Sequence, residues 1–192
     1  SLMADSAARM IQLQFVGLAA KHLDTLRKVL RSSSDEDHRA FAAQVLAYSS
    51  NKAAIVPDLV YAMRDRSGEV RNNATRALAL IALYAQQHPE LKITVPYEPF
   101  IDLLNSLAWT DRNKASLALM ELTETRNPKL LAAIKARAFD SIVDIAQWTN
   151  PGHAMAGIFM LGRMAGIADP EIYAMYERGE RDKIIAAARA SK

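Results

Sequence analysis

Cysteine is absent from the 192 residues. That excludes disulfides, thiolate metal sites and a cysteine nucleophile, and it is compatible with any redox compartment. Glycine and proline number only seven each, and aromatic residues make up 7% of the chain, so helix breakers are scarce and helix is favoured. No apolar run approaches the roughly 18 residues that a membrane-spanning helix needs. Glycine-rich phosphate loops, a Gly-x-Ser-x-Gly elbow and a His-Glu-x-x-His zinc signature are all missing. Neither sign of charge dominates: 24 Lys and Arg stand against 21 Asp and Glu, for a formal charge of +3. A dedicated nucleic-acid binder concentrates its basic residues on one face. Here there are only mild clusters, Arg64, Arg66, Arg71 and Arg76, then Arg126, Lys129, Lys135 and Arg137, which read as solvated helix faces.

What is present is a repeat. Hydrophobic residues form 51% of the chain and charged residues 23%, enough for one domain, 1–192, with a substantial core. Segments 39–46, 71–78, 112–119 and 151–158 superimpose. Ala42, Ala74, Ala115 and Ala154 align, as do Leu46, Leu78, Leu119 and Ile158. A small residue followed four positions later by a branched apolar one puts both on one helix face. The alanine admits a neighbouring helix closely and the larger side chain fills the space beside it. The aligned alanines lie 32, 41 and 39 residues apart, the length of a two-helix repeat.

Each such helix is preceded by another apolar-periodic stretch, at 18–31, 52–64, 97–107 and 129–148. Capping residues stand before the second helices: Asp35 or Asp37, Ser67, Asp111 and Asn150. Pro57 and Pro99 are placed in first helical turns, and Pro151 at the first position after its cap. Ala4 to Val16 is expected as a lone helix before Gly17, the second helix of a partial leading repeat. The stretch 91–99 is expected to be an extended connector. Asp169 opens a helix to about Arg178, Gly179 breaks it, and Glu180 to Ala190 forms a last charged helix, together a polar cap that ends the stacking.

Pro57, Leu59, Asp65, Val70, Arg71, Ala74 and Leu78 together resemble the HEAT repeat, in its short bacterial form. The likeness is close over 52–86, good over 18–49 and weaker over 97–124 and 128–168, where the turn lacks Val-Arg. It implies an all-α fold, a right-handed α-solenoid of about four helical hairpins with helical caps at both ends. The hairpins are expected at about 18–50, 52–88, 97–125 and 128–168, with the cap over 169–192. Proteins of this kind do many different things, so the likeness speaks to fold far more than to function.

Chemistry is hard to find. His22, His38, His88 and His153 show no ligand spacing, and the plainest role of His38 and His153, near helix starts, is at the surface. The HEAT-like deoxyhypusine hydroxylases depend on His-Glu dipeptides, and this chain has none. HEAT-like alkylpurine DNA glycosylases grip DNA with aromatics on a basic face, a role open to Trp109 and Trp148. Those two tryptophans lie one repeat length apart at equivalent turns, however, which reads as packing between repeats. No catalytic, metal-binding or cofactor-binding residue is expected.

The openings of the second helices offer a polar ladder: Arg39, then Arg71, Asn72, Asn73 and Arg76, then Arg112 and Asn113. Arginine forks and amides suit carboxylates, backbone carbonyls or phosphate. In HEAT repeats the arginine at 71 also ties to the turn aspartate, here Asp65, whereas Asn72, Asn73 and Arg76 are expected to have no structural duty. The expected function is a non-catalytic protein–protein interaction scaffold with its partner, another protein, on this ladder. The alternatives are a nucleic-acid binder of the DNA glycosylase kind and a chaperone resembling bilin lyases, which carry similar short repeats. The compartment is expected to be the cytoplasm by default. The start at Ser1-Leu2-Met3 reads as trimmed, which leaves export open.

Overall fold

The computed structural model describes residues 3–191, and every regular element among them is helical. The chain divides into two compact units, Ser1–Val95 and Pro96–Lys192.

The first unit contains α1 (Ser6–Lys21), α2 (Leu23–Ser32), α3 (Glu36–Leu46), α4 (Lys52–Ala62) and α5 (Gly68–Gln87). Helices α2 and α4 pack on each other and on α3 and α5 respectively, while α3 packs on α5 and α1 on α3. Two hairpins, α2–α3 and α4–α5, therefore stack with first helices in one layer and second helices in the other. Helix α1 occupies a second-helix place ahead of them. Gly17 does not end it: α1 runs on to Lys21, and the break falls at His22, whose φ/ψ of −117°/23° serves both as the end of α1 and the start of α2. A glycine inside a helix weakens it without stopping it. Ala19 is the one buried residue of α1, whereas α3 alone buries Ala40, Ala42, Ala43, Val45 and Leu46.

The aligned pairs behave as their spacing predicts. Ala42, Ala74, Ala115 and Ala154, and Leu46, Leu78, Leu119 and Ile158, are all buried. Asp35 caps α3 by accepting from the amides of Asp37 and His38. Pro57 is a correction: it lies in the middle of α4, which Asn51 caps six residues earlier. The residue facing its ring is Ala53, one turn before, so the helix carries the missing hydrogen bond at a small-residue turn.

The second unit contains α6 (Glu98–Leu104), α7 (Trp109–Leu122), α8 (Pro128–Ala146), α9 (Pro151–Met164), α10 (Asp169–Glu177) and α11 (Arg181–Ala190). Here α6–α7 and α8–α9 are the hairpins, and α10 and α11 both close on α9. Ile172 of α10 is fully buried against Gly162 of α9, where an added Cβ would sit 2.5 Å from it. Asp111, expected as a cap, is instead a buried residue inside the first turn of α7, accepting from the Ser106 hydroxyl at 2.7 Å. Helix α8 carries one non-helical residue, Ala138. The connector expected over 91–99 is shorter: 92–96 has no regular structure, while Leu91 ends a 3-10 turn and Glu98 and Pro99 belong to α6.

Candidate functional site

Arginine placement decides most of what these surfaces can do. Arg39 is the fourth residue of α3, Arg71 of α5 and Arg112 of α7. At that position a long side chain folds back over the start of its own helix and meets the carbonyls that end the preceding turn. Arg39 donates to the carbonyls of Ser33 and Ser34, Arg71 to those of Asp65 and Arg66, and Arg112 to that of Leu104. Each thus satisfies carbonyls at or just beyond the end of the preceding helix.

Arg39 and Arg112 then reach forward to the next hairpin. Arg39 grips Asp65 with two parallel bonds, Nε at 2.7 Å and Nη2 at 2.9 Å. Arg112 meets the Asp144 carboxylate at 2.6 Å and lies over the Trp148 ring. Arg71 does tie the turn at Asp65, through the backbone carbonyl, while the Asp65 carboxylate belongs to Arg39 of the preceding repeat. The guanidinium of Arg39 and the backbone amide of Ser67 hold the Asp65 carboxyl below the usual carboxylate range.

First helices are tied in the same way. Arg27 and Arg31 of α2 both bind the buried Asp58 of α4, each at 2.6 Å, and Arg137 of α8 pairs with Asp102 of α6. At the far end Arg163 and Arg126 converge on Asp169, whose carboxyl is lowered chiefly by Arg163. Much of the basic surplus is consequently engaged in ties within a unit.

The ladder read from the sequence thus divides. Arg39 and Asn113 are buried, so neither offers a contact surface, and the Asn113 side-chain oxygen has no hydrogen-bond partner. Arg112 and Asn113 belong to the second unit, the other five to the first. Asn73 has a structural duty after all: its amide donates to the Ala40 carbonyl of α3 at 3.1 Å, and its oxygen faces Asn72. Arg76 is exposed.

Arg76 opens onto a groove of about 370 Å³ in the first unit, lined by Gln12, Gln44, Ala47, Tyr48, Asn73, Arg76, Ala77 and Leu80. Its walls come from α1, α3 and α5, the second-helix layer. Gln12 donates to the Tyr48 hydroxyl at 2.8 Å, and Phe15 packs edge-on against the Tyr48 ring, which pins α1 to the end of α3. Ala47 and Ala77 keep the floor shallow and apolar, and Leu80 is 61% exposed at its rim. Gln12, Gln44, Tyr48 and Leu80 were not legible as site residues in the sequence. They come together only because α1, α3 and α5 lie side by side.

Elsewhere the chemistry-bearing groups stay apart. His88 lies 3.1 Å from Glu90 and His38 4.0 Å from Asp35, both at the surface. Trp109 and Trp148 have ring centres 6.0 Å apart, with His153 edge-on to Trp109; they pack successive turns of the second unit together. No three metal-ligating side chains converge among the described residues, and no helix there is long and apolar enough to cross a membrane.

A family model described as HEAT repeats matches residues 23–93, the two hairpins of the first unit. No curated protein matches the chain. Among solved structures, a designed armadillo repeat protein in complex with the peptide (KR)4 is 18% identical, with 98% of this chain and 94% of that one covered at a TM-score of 0.57. Computationally designed armadillo repeat proteins for modular peptide recognition align at 19% identity, 97% and 94% coverage and a TM-score of 0.58. At such identities the likeness concerns fold. The likeness shows an α-helical repeat fold, and residues 23–93 are similar to HEAT repeats.

Proposed function

We propose that this chain is a non-catalytic protein-interaction scaffold, and that the groove between α1, α3 and α5 holds a segment of its partner. The carrying observation is a contrast between neighbouring polar groups. Arg39, Arg112 and Asn73 bond across helices within their units, whereas Gln44 and Arg76 face the groove beside the exposed Leu80. Groups that can be satisfied only by something outside the unit, next to exposed apolar surface, are what a docking site requires. The contact residues of the ladder are then Arg76 with Asn72, joined by Gln44, Tyr48 and Leu80. Arg39, Arg71 and Arg112 keep the helix ends in register.

The designed armadillo proteins, built for peptide recognition, support a peptide-like ligand. The pairing of Arg27, Arg31, Arg112, Arg126, Arg137 and Arg163 with aspartates weighs against the nucleic-acid alternative, which needs a continuous field of unpaired cations. A bilin-type ligand finds no support in the small, shallow groove.

The test is a photo-reactive residue placed at Leu80, with cross-linking in cells of the source organism and mass spectrometry of the adduct. The expected product is a single dominant protein partner, lost from an Arg76→Glu variant whose melting curve is unchanged. A partner captured equally by that variant would move the contact elsewhere.

A further inference from the structure

We propose that the groove of the first unit selects an extended peptide segment bearing a carboxylate beside an apolar side chain. This rests on the scaffold reading and deepens it.

The groove carries charge of one sign. Of the eight residues that line the groove, Arg76 alone is charged, and none is acidic. The nearest acidic residues of α3, Glu36 and Asp37, lie at its first turn, seven residues or more before Gln44 and thus about 10 Å along the helix. Nothing in the lining competes with an incoming carboxylate for the Arg76 guanidinium. A planar fork of donors meets a carboxylate in two parallel bonds, and such charge-assisted contacts are the strong ones among hydrogen bonds.

Part of the polar lining is already bonded within the unit. The Gln12 amide is engaged with Tyr48 and with the Met3 backbone, and the Asn73 amide with Ala40 and Asn72. Gln44 is exposed on α3, across the groove from α5. Its side chain offers a donor and an acceptor together, which matches the N–H and C=O of one extended residue. A helical ligand has already used those groups internally, so this wall favours an extended one.

The floor of the groove is apolar. Ala47 and Ala77 leave room, and Leu80 stands one helical turn beyond Arg76 on the same face of α5. An apolar side chain of the ligand settles on this floor beside Leu80 while its acidic neighbour reaches Arg76. The specificity implied is opposite in sign to that of a reader of basic peptides.

The experiment uses the full chain and three fluorescein-labelled octapeptides in a Gly/Ser background. Each carries one leucine flanked by two glutamates, two glutamines or two lysines. Fluorescence anisotropy is expected to rank the glutamate peptide about tenfold or more tighter than the glutamine one, with the lysine peptide weakest. Arg76→Gln is expected to abolish the preference, and Arg76→Glu to reverse it in favour of lysine, with melting curves unchanged. A preference for the glutamine or lysine peptide, glutamate binding that survives Arg76→Gln, or no binding of any peptide would overturn the inference. Where a partner still cross-links at Leu80, such a result removes the charge assignment and leaves the scaffold reading standing. Where nothing cross-links either, both fall.

Discussion

Arg39 and Asp65 form a two-bond ion pair that joins the start of α3 in one repeat to the turn after α4 in the next, with side chains only 7% and 8% exposed. Breaking such a pair from one side strands a charge in a partly dry site. Arg39→Ala is expected to destabilise the first unit by about 3 kcal/mol. Arg39→Lys should recover little, because a lysine cannot reproduce the fork that also holds the Ser33 and Ser34 carbonyls. Urea denaturation of both variants checks this; a lysine variant as stable as the parent would show that charge alone matters here.

The same pairing makes stability depend on acid. Asp65 and Asp169 are both held below the ordinary carboxylate range, by Arg39 and Arg163 first of all. A carboxyl whose folded pKa is depressed stabilises the fold above its unfolded value, near 4, and loses that contribution as pH falls through the folded one. Melting temperature is expected to be flat from neutral pH to about 5 and to drop below about 4. Asp65→Asn should start lower and show a shallower acid limb.

Glycine substitutions should have opposite signs at two helix positions. At Gly157 of α9 an added Cβ would lie 2.6 Å from the Ala146 backbone nitrogen of α8, so Gly157→Ala forces two helices apart. The expected cost is about 1–3 kcal/mol. At Gly17, inside α1, an added Cβ meets nothing within 4 Å. Gly17→Ala should therefore stabilise α1 by about 0.5–1 kcal/mol through helix propensity. Differential scanning calorimetry separates the two; a stabilising Gly157→Ala would contradict the close approach of α8 and α9.

Removing the chain from Asp169 onward should not yield a clean shorter repeat array. Ile172, Ile184 and Ile185 are buried with α9 carrying the contacts of both terminal helices. Their loss would expose apolar surface around Ile158 and Leu161, while Arg163, buried beside Asp169, would lose its carboxylate. Light scattering is expected to show association at micromolar concentration. A monomeric, fully helical truncation would mean that α9 can end the stack by itself.

The amino-acid pattern determined the hairpins because their signal is local. A small residue and a branched apolar one four positions apart mark a buried helix face whatever lies across from it, and all four aligned pairs are buried. Caps at Asp35 and Asn150 were equally legible, since a cap side chain needs only the free amides two and three residues on, within one turn. Where the signal was weaker, the chain departed from it: Gly17 and Pro57 lie inside helices, because packing offsets the modest cost of one glycine or one lost bond.

Tertiary structure alone decided what the polar side chains do. An arginine on a helix can tie its own turn, bridge to the next repeat or face solvent, and the local sequence does not distinguish the three. Arg39 bridges and is buried, Arg76 is exposed, and Asn73 bonds a helix 33 residues away. The groove followed the same rule. Gln12, Gln44 and Leu80 are ordinary residues in a one-dimensional reading, and they line one site because stacking sets α1, α3 and α5 side by side. Periodicity records which face of a helix is dry; which exposed groups share a surface depends on distances between repeats, and those exist only in the folded chain.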